Sequence, residues 1–229
     1  MTYSFEREYV KSQKTEQSQK VNDRAIAQSD QGSTTTAHQK KQTAIVDATL
    51  GYSLRQLSDL GTLSEKAKLK KSLLIQYEDE VSKWLKSNNI EQNNLFIYCM
   101  IWTFDIGDTE KGLALALIAI KREQSMPERF NRDVKAFVAD TVFDAFDVNN
   151  SNQSQFDFIL EQLTTGAWLV HEAIQCKYYK KQGELLFNDD PVKALEFFKK
   201  AEEIYPKKAR VKGNISKLEK IITKERSAK

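Results

Sequence analysis

The stretch LFIYCMIWTFDIGDTEKGLALALIAIKRE, Leu95 to Glu123, decides the fold. Its apolar residues recur at three and four, the period of a helix, and nothing in it alternates at period two as a strand would. Gly107-Asp108 joins two helices there, and the Asp108 carboxylate can cap the second by accepting from backbone N–H groups. The same period holds everywhere after Ile45, so the reading is an all-α fold built of helical hairpins.

Upstream, a first helix is expected from Ile45 to about Leu60, with Val46, Leu50, Leu54, Leu57 and Leu60 as its apolar stripe and Gly61 as a left-handed cap. Thr62 and Glu65 have capping-box spacing and start a second helix to about Ser87. Its stripe is Leu69, Leu73, Leu74, Tyr77, Val81, Trp84 and Leu85, and the two helices read as an antiparallel hairpin.

Downstream, Met126-Pro127 breaks the pattern, and Pro127 fits the first turn of a helix reaching about Asp147. An Asn/Ser/Gln loop at 149–153 precedes a helical pattern from about Phe156 to Phe187, with Gly166 as a point of interruption. Asn188-Asp189-Asp190-Pro191 reads as a turn and cap. After it, Ala194, Phe198, Ala201 and Pro206 fall at the offsets of the second helix of a tetratricopeptide-type hairpin. Gly112, Ala116 and Ala119 give the earlier hairpin a weaker version. The two hairpin turns lie 82 residues apart, not a multiple of the roughly 34-residue repeat, so two related hairpins are expected without a continuous solenoid. A last basic helix runs from Lys207 to about Arg226.

Residues 1–44 hold only 11 apolar residues in 44, which cannot support a core and reads as a mostly disordered polar arm with at most a short transient helix over Tyr3 to Lys11. The organisation expected is therefore this arm, a basic helical hairpin at 45–88, and a helical-hairpin domain at 89–229 ending in the basic helix. No apolar run approaches the roughly 18 residues of a membrane span, and no secretory h-region follows the N-terminus, so neither a membrane partner nor export is expected.

The 229 residues carry 35 Lys+Arg against 32 Asp+Glu, too even a balance to identify a polyanion binder. Distribution says more: 193–229 holds 12 basic and 5 acidic residues, whereas 91–192 holds 9 basic and 16 acidic. Cys99 and Cys176 each sit inside an apolar helical pattern and read as buried free thiols.

Histidine is scarce, with His38 in the arm and His171 alone beyond it, and His171 reads as a polar position on a helix. This removes histidine-based catalytic and metal sites. There is no glycine-rich phosphate loop, so no nucleotide is expected. Carboxylates remain. Asp105 and Asp108 flank the hairpin turn beside Glu110, and Asp140 and Asp144 lie one helical turn apart. Converging carboxylates can hold Mg²⁺ for phosphodiester cleavage, although helix-end aspartates also serve as caps and i, i+4 acidic pairs as solvated faces. For nucleic acid the candidates are Lys66, Lys68, Lys70 and Lys71, with Lys66 and Lys70 on one face at i, i+4, and then Arg129 and Arg132 beside Phe130. Lys207, Lys208, Arg210, Lys212, Lys217, Lys220 and Lys224 form a further basic cluster, suited either to DNA or to the acidic middle of a neighbouring subunit.

Trp102, Asp105, Gly107, Asp108, Met126, Pro127, Phe130, Arg132 and Asp140 together form a pattern: a tryptophan before Asp-x-Gly-Asp, an Ala/Leu-rich helix, Met-Pro-x-x-Phe-x-Arg and an acidic helix. This pattern resembles the central motif of the small terminase subunits of cohesive-end temperate tailed phages, the family also called the terminase endonuclease subunit. The basic second helix with Trp84, and the ending from Asp189 to Ile221, resemble the family's flanking segments. Where such proteins often carry an acidic pair, this chain has Ala139-Asp140.

The resemblance implies a homo-oligomeric protein in the host bacterial cytoplasm that recognises double-stranded phage DNA at the cohesive-end site. It would act with a large terminase ATPase subunit that drives DNA into procapsids. The endonuclease label implies cutting, with Asp105, Asp108 and Asp140 as catalytic candidates and Mg²⁺ at Asp105 and Asp108 if the chain is a nuclease. The alternative from another class is a tetratricopeptide-like protein-interaction module with no nucleic-acid role.

Overall fold

A computed structural model describes residues 33–87, 89–149 and 151–227, which form ten helices and, among the described residues, no strand. In chain order these are α1 Ser33–Asp59, α2 Leu63–Gln76, α3 Glu78–Lys86, α4 Asn94–Asp105, α5 Thr109–Lys121, α6 Val134–Asn149, α7 Gln153–Thr164, α8 Glu172–Leu185, α9 Pro191–Ile204 and α10 Lys212–Ser227. The contacts divide into two compact units, one ending at Val134 and the other starting at Lys135. No helix among the described residues is long and apolar enough to cross a membrane.

The first unit is assembled around α4. Every residue from Leu95 to Phe104 is buried, so this helix is enclosed on all sides. It contacts α5, α2 and α1. The α4–α5 hairpin turns at Gly107, whose φ of 87° lies in the left-handed region. Asp108 then caps α5, its side chain accepting from the Lys111 N–H at 3.1 Å. The two helices approach closely at Gly112: a Cβ there would lie 2.9 Å from the Phe104 ring. Leu50 and Leu57 turn the inner face of α1 to the core, and Ser53 between them shares a 2.8 Å hydrogen bond with the Tyr77 hydroxyl.

α2 starts as the sequence predicts, with the Thr62–Glu65 capping box closed in both directions. It does not continue to Ser87. The chain breaks step at Tyr77 (φ −95°, ψ 1°), whose ring is buried against Trp102 and whose hydroxyl is tied to Ser53, and α3 resumes from Glu78. Trp84 of α3 packs on Phe96, 4.6 Å between ring centroids.

Other expectations need correction. The expected arm at 1–44 overlaps α1, which begins at Ser33: the Ser/Thr-rich start of this helix extends a segment anchored farther along by Leu50 and Leu57. Residues 1–32, including the transient helix expected at Tyr3 to Lys11, lie outside the described residues. Gly61 is not among the residues of positive φ, because the cap of α2 is set by Thr62 in extended backbone. Pro127 opens a turn instead of a helix: its carbonyl accepts from the Phe130 N–H at 2.8 Å, and α6 begins only at Val134. Arg129 lies over the rings of Tyr98 and Phe130, holding this turn against α4.

In the second unit, Phe146 of α6, Phe156 of α7 and Tyr178 of α8 stack at 4.4 and 4.9 Å between centroids. The Tyr178 hydroxyl donates to the Ala139 carbonyl at 2.8 Å, so α6 and α8 are bonded as well as packed. The helical run expected to Phe187 is interrupted at Gly166 (φ 74°). His171 is not inside a helix; it caps α8, its Nδ1 accepting from the Ala173 N–H at 3.1 Å. Asp190 caps α9 with Pro191 in the first turn, and Ala194, Phe198 and Ala201 are buried. Gly183 of α8 meets the Phe198 ring as Gly112 meets Phe104, with an added Cβ 3.0 Å away. The last helix starts at Lys212, five residues later than expected, after Arg210 at φ 53°.

Both cysteines are free and buried, and burial pushes the Cys99 thiol up to about 12. At pH 8 its thiolate is therefore negligible, and Cys99 should resist iodoacetamide in the native protein and react once urea unfolds it. Two glycine substitutions should move stability in opposite directions. Gly51→Ala, in open space within α1, should raise it by about 0.5–1 kcal/mol by removing helix-interior glycine entropy. Gly112→Ala should lower it by about 1–3 kcal/mol through overpacking on Phe104. Urea denaturation midpoints measure both.

Candidate nucleic-acid interface

An α-helix turns about 100° per residue, so the buried positions of α2 fix what its lysines face. Leu73 and Tyr77 are buried. Lys66 lies seven residues before Leu73, and Lys70 seven before Tyr77, which sets both along the inward flank. Both are half-buried, whereas Lys68 and Lys71 are exposed on the opposite side. The i, i+4 pair picked out by the sequence is thus the inner one. The outward face reads Ser64, Lys68, Lys71, Ser72 and Ile75, all exposed.

Lys70 has a partner from the other candidate site. Its Nζ lies 2.7 Å from Asp105 Oδ2, with the two side chains 19% and 39% exposed. The contact has a clear electrostatic cause. Asp105 is the last residue of α4, where the helix dipole is negative, and a carboxylate there is unfavourable until a cation offsets it. The only acid of α2, Glu65, is turned back onto Thr62, and the hydrogen bond from the Thr62 side chain, then that from its N–H, lowers the carboxyl below its ordinary range.

As arranged, the carboxylates do not fit a Mg²⁺ centre. Asp105 holds Lys70, Asp108 is the cap of α5, and no three His, Cys, Asp or Glu residues among the described residues group so as to hold a metal. Asp140 belongs to the second unit, where it and Asp144 share the ammonium of Lys177, 3.4 Å from Asp144. That ammonium also lies 4.4 Å from the centroid of the Phe143 ring. The i, i+4 acidic pair is therefore the anionic half of an ion-pair network tying α6 to α8. Arg129 is exposed but stacked on Tyr98 and Phe130, each 4.9 Å from its guanidinium carbon, and Arg132 is exposed two residues past Phe130.

Sequence reasoning passed over Arg122. Its guanidinium donates to the carbonyls of Trp84 at 2.9 Å and Leu85 at 2.8 Å, closing the C-terminus of α3, and lies 4.3 Å over the Trp84 ring. Beside it, the buried Gln124 accepts from the Asn93 N–H at 2.7 Å and donates to the Ile90 carbonyl at 3.0 Å. Gln92 and Ser125 pair through two hydrogen bonds, of 2.8 and 3.0 Å. Residues 122–125 thus clamp the connection from α3 to α4. No local motif announces this, because the partners are more than thirty residues away.

A family model described as the phage small terminase subunit matches residues 48–174. The chain is 28% identical over 148 residues to the probable terminase, endonuclease subunit of Haemophilus phage HP1 (strain HP1c1). That alignment covers 62% of this chain and 52% of the relative, so the chain spans about half the relative's length. No solved structure matches.

The Arg122 clamp yields a stability test. Arg122→Ala should cost about 2 kcal/mol, since hydrogen bonds to charged groups contribute about 1.5–3 kcal/mol. Arg122→Lys should restore little of it, because an ammonium lacks the planar fork that reaches both carbonyls while stacking on the indole. Chemical denaturation followed by tryptophan fluorescence would read both variants.

Proposed function

Because the chain belongs to the phage small terminase subunit family, we propose that it recognises double-stranded DNA at the cohesive-end packaging site and acts with the large ATPase subunit in packaging DNA into procapsids. One observation supports the DNA face most: α2, rigidly held from inside by Leu73, Tyr77 and the Lys70–Asp105 pair, turns Lys68 and Lys71 to solvent. Arg129 and Arg132, in the turn that packs on α4, are the secondary phosphate contacts. Lys70, paired with Asp105, anchors α2.

The reading includes a homo-oligomer working in the host cytoplasm, consistent with the opposed charges of the acidic middle and basic end of the chain. Strand cutting appears in the relative's name. In this chain, Mg²⁺ chemistry at Asp105 and Asp108 would first require Lys70 to be displaced. Our reading is therefore a recognition subunit. Staggered nicks produced by the purified protein and lost in Asp105→Asn would overturn it in favour of a nuclease.

DNA affinity should fall steeply with salt, since each phosphate contact releases counterions. Lys68→Glu with Lys71→Glu should abolish the gel shift at low salt. Lys70→Met should cost stability more than affinity, because its ammonium faces Asp105. Gel shifts across a salt series, paired with urea midpoints for the same proteins, separate the two effects. Unchanged affinity in the Lys68/Lys71 variant would remove α2 from the interface.

A further inference from the structure

The outward face of α2 carries more than charge. Ile75 is 74% exposed; of the leucines and isoleucines of α2 only it and Leu63, at the start of the helix, are exposed, whereas Leu73 is buried and Leu69 and Leu74 are half-buried. It lies four residues after Lys71 and seven after Lys68, so all three project from one side. Ser64 and Ser72 complete that side with hydroxyls able to donate or accept. A face meant only to meet phosphates has no use for an isoleucine at its centre line. A face that meets base edges does, because the thymine 5-methyl is the one apolar group the major groove displays.

The placement of the helix agrees. α1 and α2 are joined by three residues, Leu60, Gly61 and Thr62, and pack on one another, an arrangement in which the second helix can enter the major groove. At 1.5 Å per residue, Ser64 to Ile75 spans roughly 16 Å, about five base-pair steps. The major groove is about 12 Å wide and admits a helix. Nothing acidic opposes this on α2, since Glu65 is folded back on Thr62.

Resting on the DNA-recognition reading above, we infer that α2 lies in the major groove, with Lys68 and Lys71 toward the backbone or guanine edges and Ile75 against a thymine methyl group. Ile75 is then a specificity-determining residue: it selects sequence and adds nothing to the salt dependence.

The test uses the full chain and two duplexes carrying the phage end junction, identical except that one has uracil for every thymine, which removes only the 5-methyl groups. The wild-type protein should bind the uracil duplex more weakly, by roughly fourfold for each methyl contacted, the equivalent of about 0.8 kcal/mol per buried methyl-sized group. Ile75→Ala should bind both duplexes equally, with the salt slope of the wild type. Ile75 is exposed, so the variant's urea midpoint should match the wild type. Equal wild-type affinity for the two duplexes would overturn the inference and leave DNA recognition standing, with the Ile75 face assigned to a protein partner. Undiminished discrimination in Ile75→Ala would equally overturn it. No binding to either duplex by the wild type would sink the DNA-recognition reading itself.

Discussion

The first unit depends on one constraint, a helix that is apolar around its whole circumference. From Leu95 to Phe104 every side chain of α4 is buried, including the indole of Trp102 and the hydroxyl of Thr103, whose Oγ1 donates to the Cys99 carbonyl. Such a helix is not stable as a surface element; it must be enclosed on every side. α5 covers one side through the Gly112–Phe104 approach, and α1 and α2 cover others. Of the residues that fix α2, Tyr77 meets Trp102 of α4 and Lys70 meets Asp105 at its end, while Leu73 is buried beside them on the inner face. The direction in which Lys68, Lys71 and Ile75 point follows from how α4 is covered.

The same constraint links the two candidate sites. Asp105 ends α4 because the turn at Gly107 must begin there, and a carboxylate at that negative helix end calls for a cation. Lys70 supplies it. A partly exposed pair of this kind contributes little stability, about 1 kcal/mol, but it commits one lysine of the cluster to the protein, while Lys68 and Lys71 face solvent. The sulfur chemistry is withdrawn likewise: burial raises both thiols, so neither cysteine is poised to react.

What could be read in the sequence was local. Thr62, Asp108 and Asp190 cap the helices they precede because a cap needs only an acceptor and an N–H three residues on. The burial of Ala194, Phe198 and Ala201 follows from spacing alone. The all-α class and the apolar hairpin of α4 and α5 were legible for the same reason. What could not be read depends on distant partners. Tyr77 breaks a continuous helical pattern because its side chain is held by Ser53 and Trp102. Pro127 forms a turn because Arg129 packs back on Tyr98. His171 is a cap and not a mid-helix residue because the chain turns at Gly166. The lysine cluster shows both sides of this: its existence is in the sequence, but which lysines face outward depends on where Leu73 and Tyr77 are buried.

The buried state of Cys99 and Cys176 allows a direct test of which surface meets DNA, because a single introduced cysteine can be labelled selectively. Lys68→Cys on α2 and Lys220→Cys on α10 would each carry a photoactivatable crosslinker, and each protein would be irradiated with the end-junction duplex at low salt. The account predicts covalent DNA adducts from position 68 and none above background from position 220. Adducts from position 220 alone would contradict it and move the nucleic-acid interface to the basic C-terminal helix.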